Sequence, residues 1–490
     1  MSRINTNVQS LIARRVFDGN NTSLNRALTR LSTGLRINSG RDDPAGLIAS
    51  ETLRSSKVAL TAATDNARRA DTILSISEGG LQEVNALLLD LEDLIDRSAN
   101  EGGLNDAEIR ANQLQIDSIL TSINRLANST AFGDKKLLDG TAGFTTSSVT
   151  TSKLALVAIN SAKVPDNSFR NVSVEVLNGS TFAFVSAYGN ERAGTPLTID
   201  GQLSGVVTLQ IAGYYGTEVI NFASGATQAQ IAAGVNASTQ LTGVSATTSA
   251  MTGGPTAVIF ASTIFGSKGF VSVDVITNAV TGLNLGGGAR SVTRNGVDGT
   301  ININGQVATV DGLNASISSG TLAADLILTQ SFGTTDGGSS TFQITGGGAR
   351  FQIGPEASLS GQETIGVDSV STASLGDAVT GFLATLQSGQ TNDLNSKNFA
   401  DAQRVVRRAV EQVSSLRGRI GAFQKNTLGS AINSMLVAFE NTSAAESAIR
   451  DADFAVEASN LTRAQILVNA STSTLQLANA GPQNVLALLG

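Results

Sequence analysis

The 490-residue chain contains no cysteine, no histidine and no tryptophan. A disulfide framework is therefore excluded, as are Cys or His metal sites and any catalysis that uses histidine as its base. Proline is scarce, at 6 residues, and aromatic residues make up only 4%, so no dense aromatic core can form. Charged residues account for 15% and the net charge is −7, which argues against nucleic acid as a partner. No apolar run approaches the ~20 residues of a membrane span. The first thirty residues lack a continuous apolar stretch and a small-residue cleavage site, so no signal peptide is expected. Arg14-Arg15-Val16-Phe17 mimics a twin-arginine signal, but Asn20, Asn21 and Asn25 stand where its apolar region would have to be.

What remains is a chain rich in Ala, Ser, Thr and Asn, with 51 Gly. That composition suits large surfaces packed by small side chains. The length implies several domains, because single domains stop growing at roughly 250 residues. From Ile4 to Leu35 apolar residues follow one helical stripe, and Leu24, Leu28, Leu31 and Leu35 keep heptad spacing. Arg14 to Asn20 interrupts the stripe, so this helix is marginal in isolation. Gly34 supplies a stop, Asn38 to Gly40 a turn, and Asp42 and Asp43 cap oxygens ahead of Pro44 at a first helical position. A second helical pattern runs from Ala45 to Asn100, with a weak point at Gly79-Gly80, and a third from Ala107 to Asn128.

At Thr141 the character changes. Up to Gly348 short alternating runs such as Val172–Val176 and Phe270–Val275, bounded by Gly and Asn, read as antiparallel β-strands. We expect two small β-rich domains divided near 278–295, with one helix at Gln228 to Asn236. Phe351 to Val370 reads as a β-hairpin, and Ser374 to Leu386 as a short amphipathic piece. A long helix then carries Val406, Ala409, Val413, Leu416, Ile420 and Phe423, with Ile432, Met435 and Phe439 extending its apolar face. In the last helix, Asp453 to Ala480, Phe454, Leu461, Val468 and Leu475 recur every seventh residue, with Ala464, Ser471 and Ala478 between them. Gly481-Pro482 is expected to weaken or kink it. The fold class is α+β multidomain. A discontinuous, coiled-coil-like core of long helices comes from both chain ends, and β-rich outer domains are inserted at the midpoint.

No credible active site is present. Asp42-Asp43, Glu92-Asp93 and Asp451/Asp453 are carboxylate pairs, the minimum for acid–base work or Mg²⁺. Each is better explained as a helix cap, a solvated helix face or a helix start. The glycine tracts lack the strand–GxxxxGK–helix setting of a phosphate loop, and Lys135-Lys136 is a short basic pair on a loop. No cofactor is called for, and the chain does not read as an enzyme.

Two stretches carry a family resemblance. Leu31 to Gly46, LSTGLRINSGRDDPAG, resembles the joint of bacterial flagellins, and Ala478 to Leu489, ANAGPQNVLALL, resembles their C-terminus. The resemblance implies a structural subunit that polymerises into the filament of the bacterial flagellum. It assigns residues 1–40 with 451–490 to terminal helices of an inner tube. Residues 41–140 with 349–450 become a helical core with a hairpin in an outer tube, and 141–348 the surface-exposed insertion. The polymerisation seam would comprise Leu24, Leu28, Leu31, Leu35, Phe454, Leu461, Val468 and Leu475, and the domain joint Asn38, Asp42, Asp43 and Pro44. Partners implied are further copies of the chain, an export chaperone, the export gate and the filament cap, with neither nucleic acid nor membrane insertion. The location implied is the extracellular filament, reached by type III export without a cleaved signal. One departure stands out: the inserted domains precede the hairpin, whereas in the best-known flagellins they follow it. In flagellins detected by the animal Toll-like flagellin receptor, the stretch matching Glu78 to Asn100 carries contacting arginines. Here Asp90, Glu92 and Asp93 stand in that stretch, Asp90 and Glu92 where arginines are expected, so weak or absent activation is expected. The nearest rival is the hook–filament junction protein, which shares both ends. An enzyme on a filament scaffold is opposed by the missing His and Cys. An unrelated coiled-coil adhesin would not need both terminal stretches together.

Overall fold

The computed structural model describes residues 6–100, 102–165, 168–188, 203, 205–250, 256–276, 285, 291–377 and 380–487. Helix α1 (Val8–Thr33) starts at Asn7, whose side chain accepts from the Ser10 N–H, and stops at Gly34, where φ is 72°. Glycine fits that left-handed C-cap without a Cβ clash. Helix α2 (Pro44–Ser98) starts beneath Asp43, whose Oδ1 accepts from the Gly46 N–H at 2.9 Å. It then runs unbroken through Gly79-Gly80, so the expected bend is not a break. The reason for Gly80 is packing: a Cβ there would sit 2.8 Å from Leu138 Cδ1 and from Thr130 Oγ1. Helix α3 (Asp106–Ser129) opens with a capping box between Asn105 and Glu108. A two-residue ladder, β1 (Ala131–Phe132) with β2 (Lys135–Lys136), closes this helical part.

The next strands are β3 (Phe144–Ser147), β4 (Leu154–Ala162), β5 (Arg170–Asn178), β6 (Phe182–Tyr188), β7 (Val207–Gly213) and β8 (Thr217–Phe222). Helices α4 (Gln228–Ala237) and α5 (Thr239–Thr242) follow, then β9 (Val244–Ala250), β10 (Thr256–Phe265), β11 (Phe270–Val275) and β12 (Ser291–Asn295). The chain continues through β13 (Thr300–Ile303), β14 (Gln306–Val307), β15 (Thr309–Asp311), β16 (Asn314–Ser318), β17 (Leu322–Leu328), α6 (Gln330–Gly333) and β18 (Ser339–Gly347). Finally β19 (Ala349–Gln352) and β20 (Gln362–Ile365) form a two-stranded sheet where the hairpin was expected.

Two β modules result, and both are antiparallel. In the first, sheets β14-β13-β5-β18-β3 and β15-β16-β17-β4 enclose a core that includes Val172, Val174, Ile301, Leu326 and Phe342. In the second, sheets β6-β10-β9 and β12-β11-β7-β8 enclose Leu209, Ile231, Val258, Phe260 and Val271. A single cut near 278–295 does not separate them, which corrects the division expected from composition. Strand β5 pairs with β13 and β18, both far downstream, so the second module is inserted within the first. Residues 278–284 and 286–290 of that expected division lie outside the described residues.

The chain enters and leaves the second module side by side. Thr181 and Val297 form an antiparallel bridge, with Thr181 N–H donating to the Val297 carbonyl at 2.9 Å. Beside this crossing, Asp298 Oδ1 accepts from Gly312 N–H of the first module at 2.8 Å and from Ser267 N–H of the second at 3.1 Å. Gly299 N–H donates to Ser180 Oγ at 2.9 Å across the two crossing strands.

Past β20, Leu383–Leu386 forms only a 3₁₀ turn, so the amphipathic piece expected there is not an α-helix. Helix α7 (Phe399–Ala422) passes through a π-helical segment (Phe423–Leu428) into α8 (Gly429–Arg450), followed by α9 (Phe454–Ala487). The expected heptad run through Phe423 thus ends in a π segment. Helix α9 continues through Gly481-Pro482, where weakening or a kink was expected, to Ala487.

Two compact units are present. The first holds Met1–Asp71, Gln352–Gly361 and Gln424–Gly490. Within it α1 lies against α9, and the start of α2 is tied to α8 by Lys57–Glu446 at 2.8 Å and Arg450–Glu51 at 2.8 Å. The second holds Thr72–Phe351 and Gln362–Phe423. Its helical part buries Leu81, Val84, Leu88, Leu91 and Ile95 of α2 together with Ile116 and Ile123 of α3 and Val406, Val413 and Ile420 of α7.

Candidate functional site

Among the described residues no group of acidic side chains is placed to hold a metal ion, and no helix is long and apolar enough to cross a membrane. The three carboxylate pairs are accounted for by local structure. Asp453 Oδ1 caps α9 by accepting from Ala455 N–H at 2.9 Å, and Asp451 accepts from Ser447 Oγ at 2.6 Å. The arrangement with the most unusual chemistry is instead the pairing of the two chain ends.

Helices α1 and α9 run antiparallel. On the α9 side Ala464 and Ser471 are buried, and Leu461, Val468, Leu475 and Ala478 are half-buried. On the α1 side Ala13 and Ala27 are buried, and Leu24, Leu31 and Leu35 half-buried. The remaining two seam candidates face outward, with Leu28 at 44% and Phe454 at 59% exposure. Small residues fill the closest positions, which lets the backbones approach as the alternation of large and small side chains requires. Further apolar side chains, Leu11, Ile12, Val16, Ile466, Leu467 and Leu477, are left exposed on the same pair. Ile12, Val16 and Leu467, with Ala13 and Ala470, line an open groove of about 390 Å³ between the two helices.

Polar links cross the seam at intervals. Asn7 Nδ2 donates to the Ala478 carbonyl at 2.7 Å and Ser10 Oγ to Asn479 Oδ1 at 2.6 Å. Asn20 Nδ2 donates to the Leu467 carbonyl at 3.2 Å, and Arg30 Nη1 to Glu457 Oε1 at 3.0 Å. Glu457 is largely enclosed, its side chain 9% exposed, and its other oxygen accepts from Asn460 at 3.4 Å. At the base, Arg36 N–H donates to the Arg450 carbonyl at 2.7 Å and Ala452 N–H to the Gly34 carbonyl at 2.9 Å. Apolar periodicity alone did not single out these polar residues. The signal that could have found them is polar residues at matching intervals on two helices that run in opposite directions.

The joint after α1 is closed by Asp42. Its Oδ2 accepts from the Ser39 N–H and Oγ, each at 3.0 Å, and from Asn38 N–H at 3.3 Å. Asn38 Nδ2 in turn donates to the Leu35 carbonyl at 2.9 Å. The Ser39 hydroxyl is the main reason the Asp42 carboxyl is held below the usual carboxylate range, helped by the backbone amides and the nearby Arg30 charge. Asp42 and Asp43 therefore do different work: Asp43 caps α2 ahead of Pro44, and Asp42 folds the loop back on itself.

Asp90, Glu92 and Asp93 all lie on α2. Asp90 is exposed, Asp93 pairs with Arg97 at 2.8 Å one turn on, and Glu92 accepts from Arg407 Nε of α7 at 2.8 Å. Glu92 is thus committed to a partner within the chain.

Residues 4–143 match the family model described as the bacterial flagellin N-terminal helical region, and residues 404–489 match the bacterial flagellin C-terminal helical region. The B-type flagellin of Pseudomonas aeruginosa is 28% identical, the alignment covering 99% of both chains. A flagellin of Salmonella typhimurium is 27% identical, again over 99% of both. Among solved structures, the flagellar junction protein FlgL from Legionella pneumophila matches with a TM-score of 0.28 and 12% identity, over 82% of this chain and 99% of that one.

Proposed function

Because the chain belongs to the bacterial flagellin family, we propose that its paired terminal helices are the device by which it polymerises. The protein is a structural subunit of the extracellular flagellar filament, and the junction-protein alternative has the weaker support. The observation that carries the terminal-helix mechanism is the set of apolar side chains left exposed on α1 and α9. A lone chain leaves them in water, and neighbouring copies can cover them.

In this reading residues 1–40 and 451–490 build the inner tube, residues 41–140 with 349–450 the outer tube, and residues 141–348 face the medium. Ordering a backbone costs about 1–2 kcal/mol per residue. The terminal helices therefore hold their full structure only where other copies bury them, which keeps subunits unpolymerised before export. Export runs through the flagellar type III channel, with a chaperone on the C-terminal helices, the export gate and the filament cap as successive partners. The Asp90–Asp93 stretch gives weak or no activation of the Toll-like flagellin receptor, because acidic groups stand where arginines are expected and Glu92 is already paired with Arg407. A reporter cell line responding at ordinary flagellin doses would overturn that.

The mechanism is tested by adding purified chain to short filament seeds and following growth by electron microscopy, beside a variant lacking residues 1–35 and 455–490. Growth by the full chain alone supports the terminal helices as the device. Short caps or rings from the full chain would move the junction-protein reading ahead. Growth by the truncated variant would remove the mechanism.

A further inference from the structure

The apolar seam between α1 and α9 cannot specify its own alignment. Its large residues recur every seventh position on α9 and at matching spacing on α1, so a slide of one heptad, about 10 Å along the axis, brings similar side chains together again. The charged pair of Arg30 and Glu457 does not repeat in that way. Asn20 and Arg30 lie ten residues apart on α1, and their partners Leu467 and Glu457 lie ten apart on α9. The same alignment carries on to the backbone bridge between Leu35 and Asp451 at the base, and to Asn7 and Ser10 at the other end.

We propose that Arg30 and Glu457 set the register of the two terminal helices, and so select the one alignment that can enter the polymer. This rests on the terminal-helix mechanism above and adds the residues that make it specific. A one-heptad slip in one direction carries Arg30 past the start of α9 at Phe454, where the helix offers it no carboxylate. In the other direction it meets Ala464, which offers no acceptor. Either slip strands the enclosed Glu457 carboxylate without its cation, whereas the leucine and valine contacts survive. An ionic pair that contributes little net stability can still decide between two alignments, because only the wrong one leaves a charge unpaired.

The chain has no cysteine of its own, so an introduced pair reports register without background. Ala27→Cys with Asn460→Cys reads the observed alignment, and Ala27→Cys with Leu467→Cys reads a one-heptad slip. Each pair is treated with a short bis-maleimide, which traps the pairing that a lone chain makes only transiently, in the full-length chain in four backgrounds: unchanged, Arg30→Glu, Glu457→Arg, and both together. We expect the 27–460 product to exceed the 27–467 product about tenfold in the unchanged background, to approach parity in either single reversal, and to recover in the double reversal. Seeded filament growth should fall about tenfold in the single reversals and recover with the double. Single reversals that keep the original product ratio would overturn the proposal, and so would a double reversal that fails to restore it. If the unchanged chain gives the 27–460 product but adds nothing to seeds, the polymerisation mechanism fails while the register assignment stands.

Discussion

Gly79 and Gly80 are neighbours on one helix, identical in propensity and opposite in consequence. Nothing lies within 4 Å of a Cβ placed on Gly79, whereas one on Gly80 would meet Leu138 and Thr130 at 2.8 Å. Gly79→Ala should therefore stabilise the protein by about 0.5–1 kcal/mol, the usual helix gain. Gly80→Ala should destabilise it by about 1–3 kcal/mol, because Leu138 is fully buried and cannot move aside. Thermal or urea unfolding of the two variants separates the outcomes. Asp42 gives a second prediction at this scale. Its carboxyl titrates below the ordinary range when folded, so it contributes stability that is complete above the ordinary carboxylate value and is lost as pH falls through the lowered one. Asp42→Ala should make the joint more open to limited proteolysis at pH 7, by an equilibrium factor of about five to ten. The gap between variant and parent should begin to narrow as pH drops below about 4 and close once pH has fallen through the lowered value. A gap that persists unchanged into acid would mean that the carboxylate is not the closing element.

Most elements were legible because their signals are local. Heptad leucines, the stop at Gly34, the Asp43–Pro44 start and the alternating strands each follow from periodicity or cap chemistry within a few residues. What could not be read depended on partners far away in the chain. Strand β5 looks the same whether its neighbour is the next strand or, as here, β13 and β18, so composition suggested two modules in series rather than one inside the other. Helix α9 passes Pro482 although local propensity opposes it. Leu28 and Phe454 share the spacing of the seam but face outward, because periodicity gives a stripe and not the angle at which a partner meets it. The junction between the β modules was equally hidden, since Asp298 draws its donors from Ser267 and Gly312. Burial opposes its charge, yet the hydrogen bonds from Ser267 and Gly312 keep the carboxyl below the ordinary range. Asp298→Ala should lower hydrogen-exchange protection at the amides of Ser267 and Gly312 by about tenfold, leaving strands β16 and β17 unchanged. Equal loss throughout both modules would point to global unfolding instead.

At the scale of the whole molecule, parts specified by distant segments are combined without being interdependent. The terminal helices depend on each other across the full length of the chain, whereas the second β module has a core of its own and meets the first beside the crossing at Thr181 and Val297. Those two residues are bridge partners, so their Cα atoms lie about 5 Å apart. A variant in which a short Gly-rich turn replaces residues 182–296 should keep the fold of the first module and its ability to extend seeds, and circular dichroism with electron microscopy would check both. Loss of filament growth from that variant would show that the second module takes part in assembly. The same adjacency has a consequence for the lineage of such a chain. A segment whose two ends almost touch behaves as a removable cassette, so recombination can delete it, lengthen it or exchange it for a foreign domain while the polymer beneath keeps its dimensions.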